Sequence, residues 1–102
     1  MLENNIEEKL RKAAAGIGCI VLKFVAPGNR GVPDRIIVTP DGRVYFVELK
    51  RPHGGRLSPL QRYHHDRLRS NHANVRVIFN EAEVMAFITE LSNREAKAKV
   101  NL

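Results

Sequence analysis

Two acidic residues and a lysine lie among apolar residues in the middle of the sequence. Asp34 begins the stretch DRIIV, Glu48 ends the stretch YFVE, and Lys50 follows two residues later. A charge that is removed from water is costly unless it is paired or bound to a metal ion. Two carboxylates beside an amine are groups that can hold a divalent cation and stabilise charge on a phosphoryl oxygen. This chemistry requires a fold that brings the three side chains together.

The short connection TPDGR between the two stretches decides whether the carboxylates meet. Pro40 suits the first corner of a type I turn and Gly42 the left-handed position after it, which predicts a three-residue hairpin loop with a bulge. In the resulting register Asp34 lies directly opposite Glu48 on one face of the sheet, and Lys50 points the same way. A two-residue Asp-Gly loop would shift the register by one residue and separate the carboxylates.

In this register the residues predict a metal site with hydrolytic chemistry. Asp34 and Glu48 supply two oxygen ligands, and the backbone carbonyl of Leu49 is a candidate for a third; Mg²⁺ needs few ligands from a protein. A divalent ion lowers the pKa of a bound water and stabilises charge on a phosphoryl oxygen. Lys50 can position that water or offset the charge. These are the parts required to hydrolyse a phosphodiester.

Hydrophobic periodicity and turn residues divide the chain into a helix, three strands, a helix, a strand and a helix. The third predicted strand is apolar on both faces, which favours a central strand that is covered on both sides. The periodicity weakens from about residue 93, where we expect the tail to fray. Without a linker or a repeat, residues 1–102 are predicted to form a single domain. The predicted elements are 3–15, 19–25, 34–39, 43–50, 58–71 and 74–79, followed by a last helix that Asn80 caps.

The helix after Lys50 has a clear start in the sequence. Ser58 can be its N-cap, Pro59 suits the first turn, and Gln61 completes a capping box. The capping box explains Gln61 without catalysis, although an active-site role can exist beside it.

The charge of the chain is strongly positive and unevenly distributed. The net charge is +6, and residues 50–72 supply five of the six positive charges together with all four histidines. A solvated helix face would explain one such cluster, but this excess favours a polyanionic partner, either nucleic acid or an anionic membrane. The histidines lack the spacing for a shared zinc ion.

No stretch of the sequence indicates membrane insertion or export. The longest apolar stretch, CIVLKFVA, is too short to span a bilayer and is interrupted by Lys23. The first ten residues lack the layout of a signal peptide. The single Cys19 excludes an internal disulfide and favours a reducing, cytoplasmic setting.

The string GVPDRIIV…GRVYFVELKRP…LSPLQ resembles the VRR-NUC family, the virus-type replication-repair nucleases of the PD-(D/E)xK superfamily. The resemblance covers roughly residues 6–90. It implies an α/β fold with a restriction-endonuclease-like αβββαβ core, in which helices flank a mixed central sheet. It also implies a DNA endonuclease that depends on Mg²⁺ or Mn²⁺. Small stand-alone members are associated with homodimers that cut four-way DNA junctions, which would place this chain in a bacterial or phage-infected cytoplasm.

The motif assigns roles to individual residues. Asp34 and Glu48 match the metal ligands, Lys50 matches the motif lysine, and Gln61 matches the glutamine of the following helix. The family also has an acid in the first helix, for which Glu7 is our choice, with Glu3 and Glu8 as alternatives. Candidate nucleic-acid contacts are Lys23, Arg30, Arg35, Arg51, Arg56 and Arg62.

Three other interpretations remain open at this point. Asp34 and Glu48 could be strand-end acids that Lys50 and Arg35 neutralise. The enzyme could cut flap, duplex or single-stranded DNA rather than junctions. The chain could also bind DNA without cutting it.

Overall fold

A four-stranded mixed sheet forms the centre of the structure, a computed structural model that describes the backbone of residues 3–100 and the side chains of residues 5–93. The strands lie in the order β1-β2-β3-β4; β1, β2 and β3 pair antiparallel, and β4 pairs parallel to β3. Helix α2 lies in the crossover between β3 and β4. This arrangement confirms the predicted order of elements and the αβββαβ core. The elements are α1 Glu3–Gly16, β1 Ile20–Lys23, β2 Arg35–Val38, β3 Val44–Leu49, α2 Pro59–Ser70, β4 Asn74–Ile78 and α3 Glu81–Val100.

The β2–β3 hairpin has the predicted loop and register. Gly42 has φ +89°, and its N–H donates to the carbonyl of Thr39 at 2.9 Å. The N–H of Thr39 donates to the carbonyl of Arg43, also at 2.9 Å, and closes the three-residue loop. The cross-strand partners are Val38 with Val44, Ile37 with Tyr45, Ile36 with Phe46 and Arg35 with Val47.

One face of the sheet packs against α1 and α3 and forms the hydrophobic core. Tyr45, Val47 and Leu49 of β3 alternate onto this face and are buried. The two helices bury the apolar stripes that their periodicity predicts, because residues three and four apart share one side of a helix. The buried helix residues in this core are Ile6, Leu10, Ala14, Val84, Phe87, Ile88 and Leu91.

The opposite face is only partly covered, which differs from the expectation that β3 is covered on both sides. Helix α2 packs against β4, whereas Ile20, Leu22 and Val44 remain 57%, 52% and 40% exposed. A helix is about 10 Å wide and strands are about 4.8 Å apart, so one helix covers only about two strands. The apolar pattern of β3 therefore does not reveal that the second layer ends before β1 and β2.

The last helix begins at the residue that the sequence predicts. Asn80 caps it as predicted, since the N–H of Glu83 donates to the Asn80 side chain at 2.9 Å. The helix runs from Glu81 to Val100, and the expected fraying of the tail from about residue 93 stays a prediction. Side chains from residue 94 onward lie outside the described part. In the described part of the chain, no helix is long and apolar enough to cross a bilayer.

Helix α2 is capped at both ends by specific hydrogen bonds. The Ser58 hydroxyl accepts from the N–H of Gln61 at 3.1 Å, and the Gln61 side chain accepts from the N–H of Ser58 at 2.9 Å, which confirms the capping box. At the other end the N–H groups of His72 and Ala73 donate to the carbonyls of Arg69 and Leu68. This is a Schellman motif, with His72 at φ 67° in the position that glycine usually occupies.

We expect His72→Gly to stabilise the protein by about 0.5–1 kcal/mol. The left-handed conformation costs a side-chain-bearing residue about 1–2 kcal/mol, and the greater freedom of unfolded glycine offsets part of that gain. Urea denaturation measures the free energy of unfolding. Asn71→Gly is the matched control: its φ of −96° needs no glycine, so this change should destabilise. A lower stability of His72→Gly would contradict the interpretation.

Candidate active site

The open end of the β2–β3 hairpin brings Asp34 and Glu48 onto one face of the sheet. Arg35 pairs with Val47, so continuing the ladder by one residue puts Asp34 opposite Glu48. The Glu48 side chain is buried, with 5% of its surface exposed, whereas that of Asp34 is 36% exposed. The register that the sequence predicts for the two acids is thus the register of the fold.

Three nitrogen-bearing side chains converge on the buried carboxylate of Glu48. Gln61 Nε2 donates to Oε2 at 3.3 Å, and Lys50 Nζ lies 3.8 Å from the same oxygen. His65 Nε2 lies 3.8 Å from Oε1. Gln61 therefore combines its capping role with a contact to the acid. The predicted group of Glu48, Lys50 and Gln61 is assembled in the fold.

The carbonyl of Leu49 points toward the Asp34 side of β3. The N–H of Lys50 donates to the carbonyl of Ile78 on β4 at 2.9 Å. The C=O and N–H of a trans peptide point in opposite directions, and none of the described peptides is cis. The Leu49 carbonyl is therefore directed away from β4, toward the side where β2 begins.

The donor set at this edge suits a hard divalent cation. Two carboxylates and a main-chain carbonyl offer oxygen ligands, as Mg²⁺ and Mn²⁺ prefer. Among the described side chains, no three His, Cys, Asp or Glu residues cluster around one point. An ion held here would rest on Asp34, Glu48 and the Leu49 carbonyl, with the remaining positions open to water or substrate.

Glu7 reaches the site through Arg35 rather than directly. Its carboxylate pairs with the Arg35 guanidinium, whose Nη1 also donates to the Asp34 carbonyl at 2.9 Å and lies 3.9 Å from the Asp34 carboxylate. Glu8 instead pairs with Arg11 and Lys12 on the exposed face of α1. The side chain of Glu3 lies outside the described residues. Of the two first-helix acids with described side chains, Glu7 is the one linked to Asp34.

The six predicted nucleic-acid contacts lie in different environments. Arg30 and Arg56 line an open groove of about 560 Å³ together with Lys50 and Gln61. Arg51 and Arg62 are exposed on the loop and helix that flank it. Lys23 is exposed on edge strand β1, beside a cavity of about 200 Å³ that Glu7 and Arg35 also line. The Arg35 side chain is only 10% exposed and pairs with Glu7, and its contact with nucleic acid stays a prediction.

His65 also lies beside Glu48, although the sequence analysis did not place it there. Its side chain is fully buried, and neither ring nitrogen has a hydrogen-bond partner in the described structure. Burial lowers the pKa of His65, and the positive charge of Arg69 adds to this effect, so the imidazole is neutral at pH 7. The usable signal was its spacing, because His65 lies four residues after Gln61 and therefore on the same side of α2.

The comparisons with known proteins agree with this geometry. No family model matches the chain. The chain is 47% identical over 66 residues to "Putative nuclease p44" of Acyrthosiphon pisum secondary endosymbiont phage 1, an alignment that covers 65% of this chain and 70% of that protein. A solved structure described as a VRR_NUC domain matches with a TM-score of 0.81 and 29% identity, over 85% of this chain and 94% of that one. The chain belongs to the VRR-NUC family.

Membership in the VRR-NUC family fits the layout of the hairpin and α2. The match covers 85% of this chain, so the likeness extends far beyond the motif residues. The family resemblance inferred from the motif residues is thereby confirmed. The roles of individual residues remain predictions.

Gly31 lies close to the backbone at the start of α2. It has φ +93°, and a Cβ at this position would lie 2.9 Å from the backbone of Leu60. Gly28, in the same loop, has φ +81° with nothing near its would-be Cβ. The loop at Gly31 therefore contacts Leu60 in the first turn of α2, and Leu60 is the residue before Gln61.

We expect Gly31→Ala to lower the free energy of unfolding by about 1–3 kcal/mol more than Gly28→Ala. Both changes strain a left-handed backbone, but only the first also forces the start of α2 to move. Urea denaturation measures the free energy of unfolding of both variants, and the difference between them gives the cost of the contact with Leu60 without the cost of the left-handed backbone. Equal losses would contradict the proposed tight contact at Leu60.

Proposed function

We propose that this VRR-NUC chain is a DNA endonuclease that depends on Mg²⁺ or Mn²⁺, hydrolyses phosphodiester bonds, and acts as a homodimer with a preference for branched DNA such as four-way junctions. The observation that carries the proposal is the convergence of Lys50 and Gln61 on the buried Glu48, opposite Asp34. We further propose that it acts in the cytoplasm of a bacterium or a phage-infected host.

The side chains of the site have complementary roles in this proposal. Asp34, Glu48 and the carbonyl of Leu49 hold the cation, which supplies Lewis-acid stabilisation of a phosphoryl oxygen when bound. The ammonium of Lys50 stabilises the negative charge that develops on the phosphoryl group. Gln61 holds the orientation of Glu48. Glu7 acts through Arg35, which fixes the backbone that presents Asp34.

The basic groove supports DNA as the substrate. Arg30 and Arg56 flank the approach to Lys50 in an open groove, which suits a phosphate backbone more than a small enclosed ligand. No recognition helix with a known docking geometry is apparent in the sequence, so shape and phosphate contacts should dominate over base reading. The excess of basic residues between 50 and 72 supports the same conclusion.

A partly covered apolar face supports a homodimer. Ile20, Val38 and Val44 form one cross-strand row, and Leu22, Ile36 and Phe46 form the next. These two rows carry no charge, which suits a protein partner better than DNA, and a two-fold axis lets one such face cover its own copy. The following position along β2 and β3 is the Asp34–Glu48 pair, so this interface would adjoin both active sites.

We expect the wild-type protein to cut four-way junctions with Mg²⁺ or Mn²⁺ faster than flap, linear duplex or single-stranded DNA. Glu48→Ala should abolish cutting because it removes a cation ligand. Lys50→Ala should lower the cleavage rate by about 100-fold or more while leaving DNA binding largely intact. Labelled substrates on a denaturing gel measure cleavage, and electrophoretic mobility shift measures binding.

Lys12→Ala is the matched control for the lost positive charge, because Lys12 is exposed on α1 and pairs only with Glu8 in the described contacts. This variant should cut like the wild type. A preference for flap or linear DNA would replace the junction proposal with one of those substrates. Binding without cutting under every divalent ion would favour a DNA-binding module.

We expect the wild type to sediment as a dimer and Leu22→Glu to weaken the dimer at least about tenfold, because the new charge would be buried in the interface. Sedimentation velocity over a range of concentrations measures the association. Met85→Glu is the matched control, since Met85 is 47% exposed on α3, away from the two apolar rows. A wild type that is fully active as a monomer would contradict the dimer.

A further inference from the structure

His65 and Gln61 approach the two oxygens of Glu48 from consecutive turns of α2. Gln61 Nε2 donates to Oε2 at 3.3 Å, and His65 Nε2 lies 3.8 Å from Oε1. Residues four apart lie on one side of a helix, so the capped start of α2 presents both groups to the same carboxylate. Each oxygen of Glu48 thus has one nitrogen from α2 nearby.

The His65 imidazole has no other polar function in the described structure. Its side chain is fully buried, and neither ring nitrogen has a hydrogen-bond partner among the described residues. Buried polar groups are normally hydrogen-bonded, so an unsatisfied imidazole in a native fold needs an explanation. The nearest acid is Glu48, less than 1 Å beyond hydrogen-bonding distance, and active-site hydrogen bonds are often long before ligands bind.

We propose that His65 is a positioning residue whose Nε2–H hydrogen-bonds to Oε1 of Glu48 when the site holds its cation. With Gln61 on the other oxygen, the two donors fix the rotation of the carboxylate and so its direction toward the ion. Groups that orient metal ligands in this way are commonly worth about 10–100-fold in metal affinity or activity. This inference rests on the proposed function and concerns the cation site of Glu48.

The alternative is that His65 only fills space under α2. His65→Leu and His65→Gln separate the two roles, because leucine keeps an apolar group of similar size while glutamine retains an N–H donor near the position of Nε2. His64→Leu is the matched control: His64 is also buried, but its Nδ1 lies 3.5 Å from Arg67 rather than near Glu48.

The readout is Mn²⁺ binding to the DNA-free protein, measured by electron paramagnetic resonance or calorimetry, with cleavage measured in parallel. We expect His65→Leu to weaken Mn²⁺ binding by about 10–100-fold, His65→Gln to recover most of this loss, and His64→Leu to bind like the wild type. Thermal unfolding verifies that each variant is folded; if the leucine variant is not, His65→Met takes its place.

Two results would overturn the assignment. The first is wild-type Mn²⁺ affinity in folded His65→Leu, or in the methionine variant, while Glu48→Ala loses the ion; the proposed function would then stand without a role for His65. The second is equal weakening by the leucine and glutamine variants. A wild type that binds no Mn²⁺ would instead remove the proposed function and this inference together, whereas one that binds Mn²⁺ but cuts nothing would still test His65 through binding.

Discussion

The register of the β2–β3 hairpin is the constraint on which the candidate site depends. Side chains alternate between the two faces of a strand, so a slip of one residue would move Glu48 away from Asp34. The loop prevents this slip with its own hydrogen bonds: Gly42 takes the left-handed position, and the Thr39 hydroxyl accepts from the N–H of Arg43 at 2.9 Å. Arg43 also contacts the Leu91 carbonyl at 3.1 Å, which ties the loop to α3. A local turn therefore determines the geometry of the candidate site at the far end of the hairpin.

The position of the start of α2 is a second constraint on the candidate site, and Gln61 links the two. Its side-chain oxygen accepts from Ser58 in the capping box, while its side-chain nitrogen donates to Glu48. The side-chain amide of Gln61 thus hydrogen-bonds to the helix terminus and to the buried acid at the same time. The position of the helix start and the orientation of Glu48 are therefore linked. Gly31 permits the loop to contact Leu60 in the same turn. The same hydrogen bonds that cap α2 consequently also place Gln61 against Glu48.

The parts of the site that the sequence predicted are those that depend on residues close together along the chain. The hairpin register follows from Pro40 and Gly42, and the capping box follows from Ser58 and Gln61. The pairing of Glu7 with Arg35, and the approach of His65 to Glu48, join residues that are distant along the chain, and neither pattern nor propensity encodes such tertiary contacts. The partial cover over β3 escaped prediction for a related reason: apolar alternation reports what a strand can bury, not which helix or partner covers it.

The chain has too few helices to cover both faces of the sheet, and the candidate site lies where the cover of one face ends. Helices α1 and α3 cover one face of the sheet, and α2 alone remains for the other, where it packs on β4 and reaches Glu48. The site therefore lies at the boundary between the covered and uncovered parts of this face. On one side of the boundary, α2 supplies polar groups that contact Glu48. On the other side, the row of Leu22, Ile36 and Phe46 is only partly covered. A small domain can leave an apolar face uncovered by its own helices at little cost if a second copy of the chain covers that face. Because Asp34 and Glu48 lie beside this face, a dimer interface formed there would adjoin the candidate site.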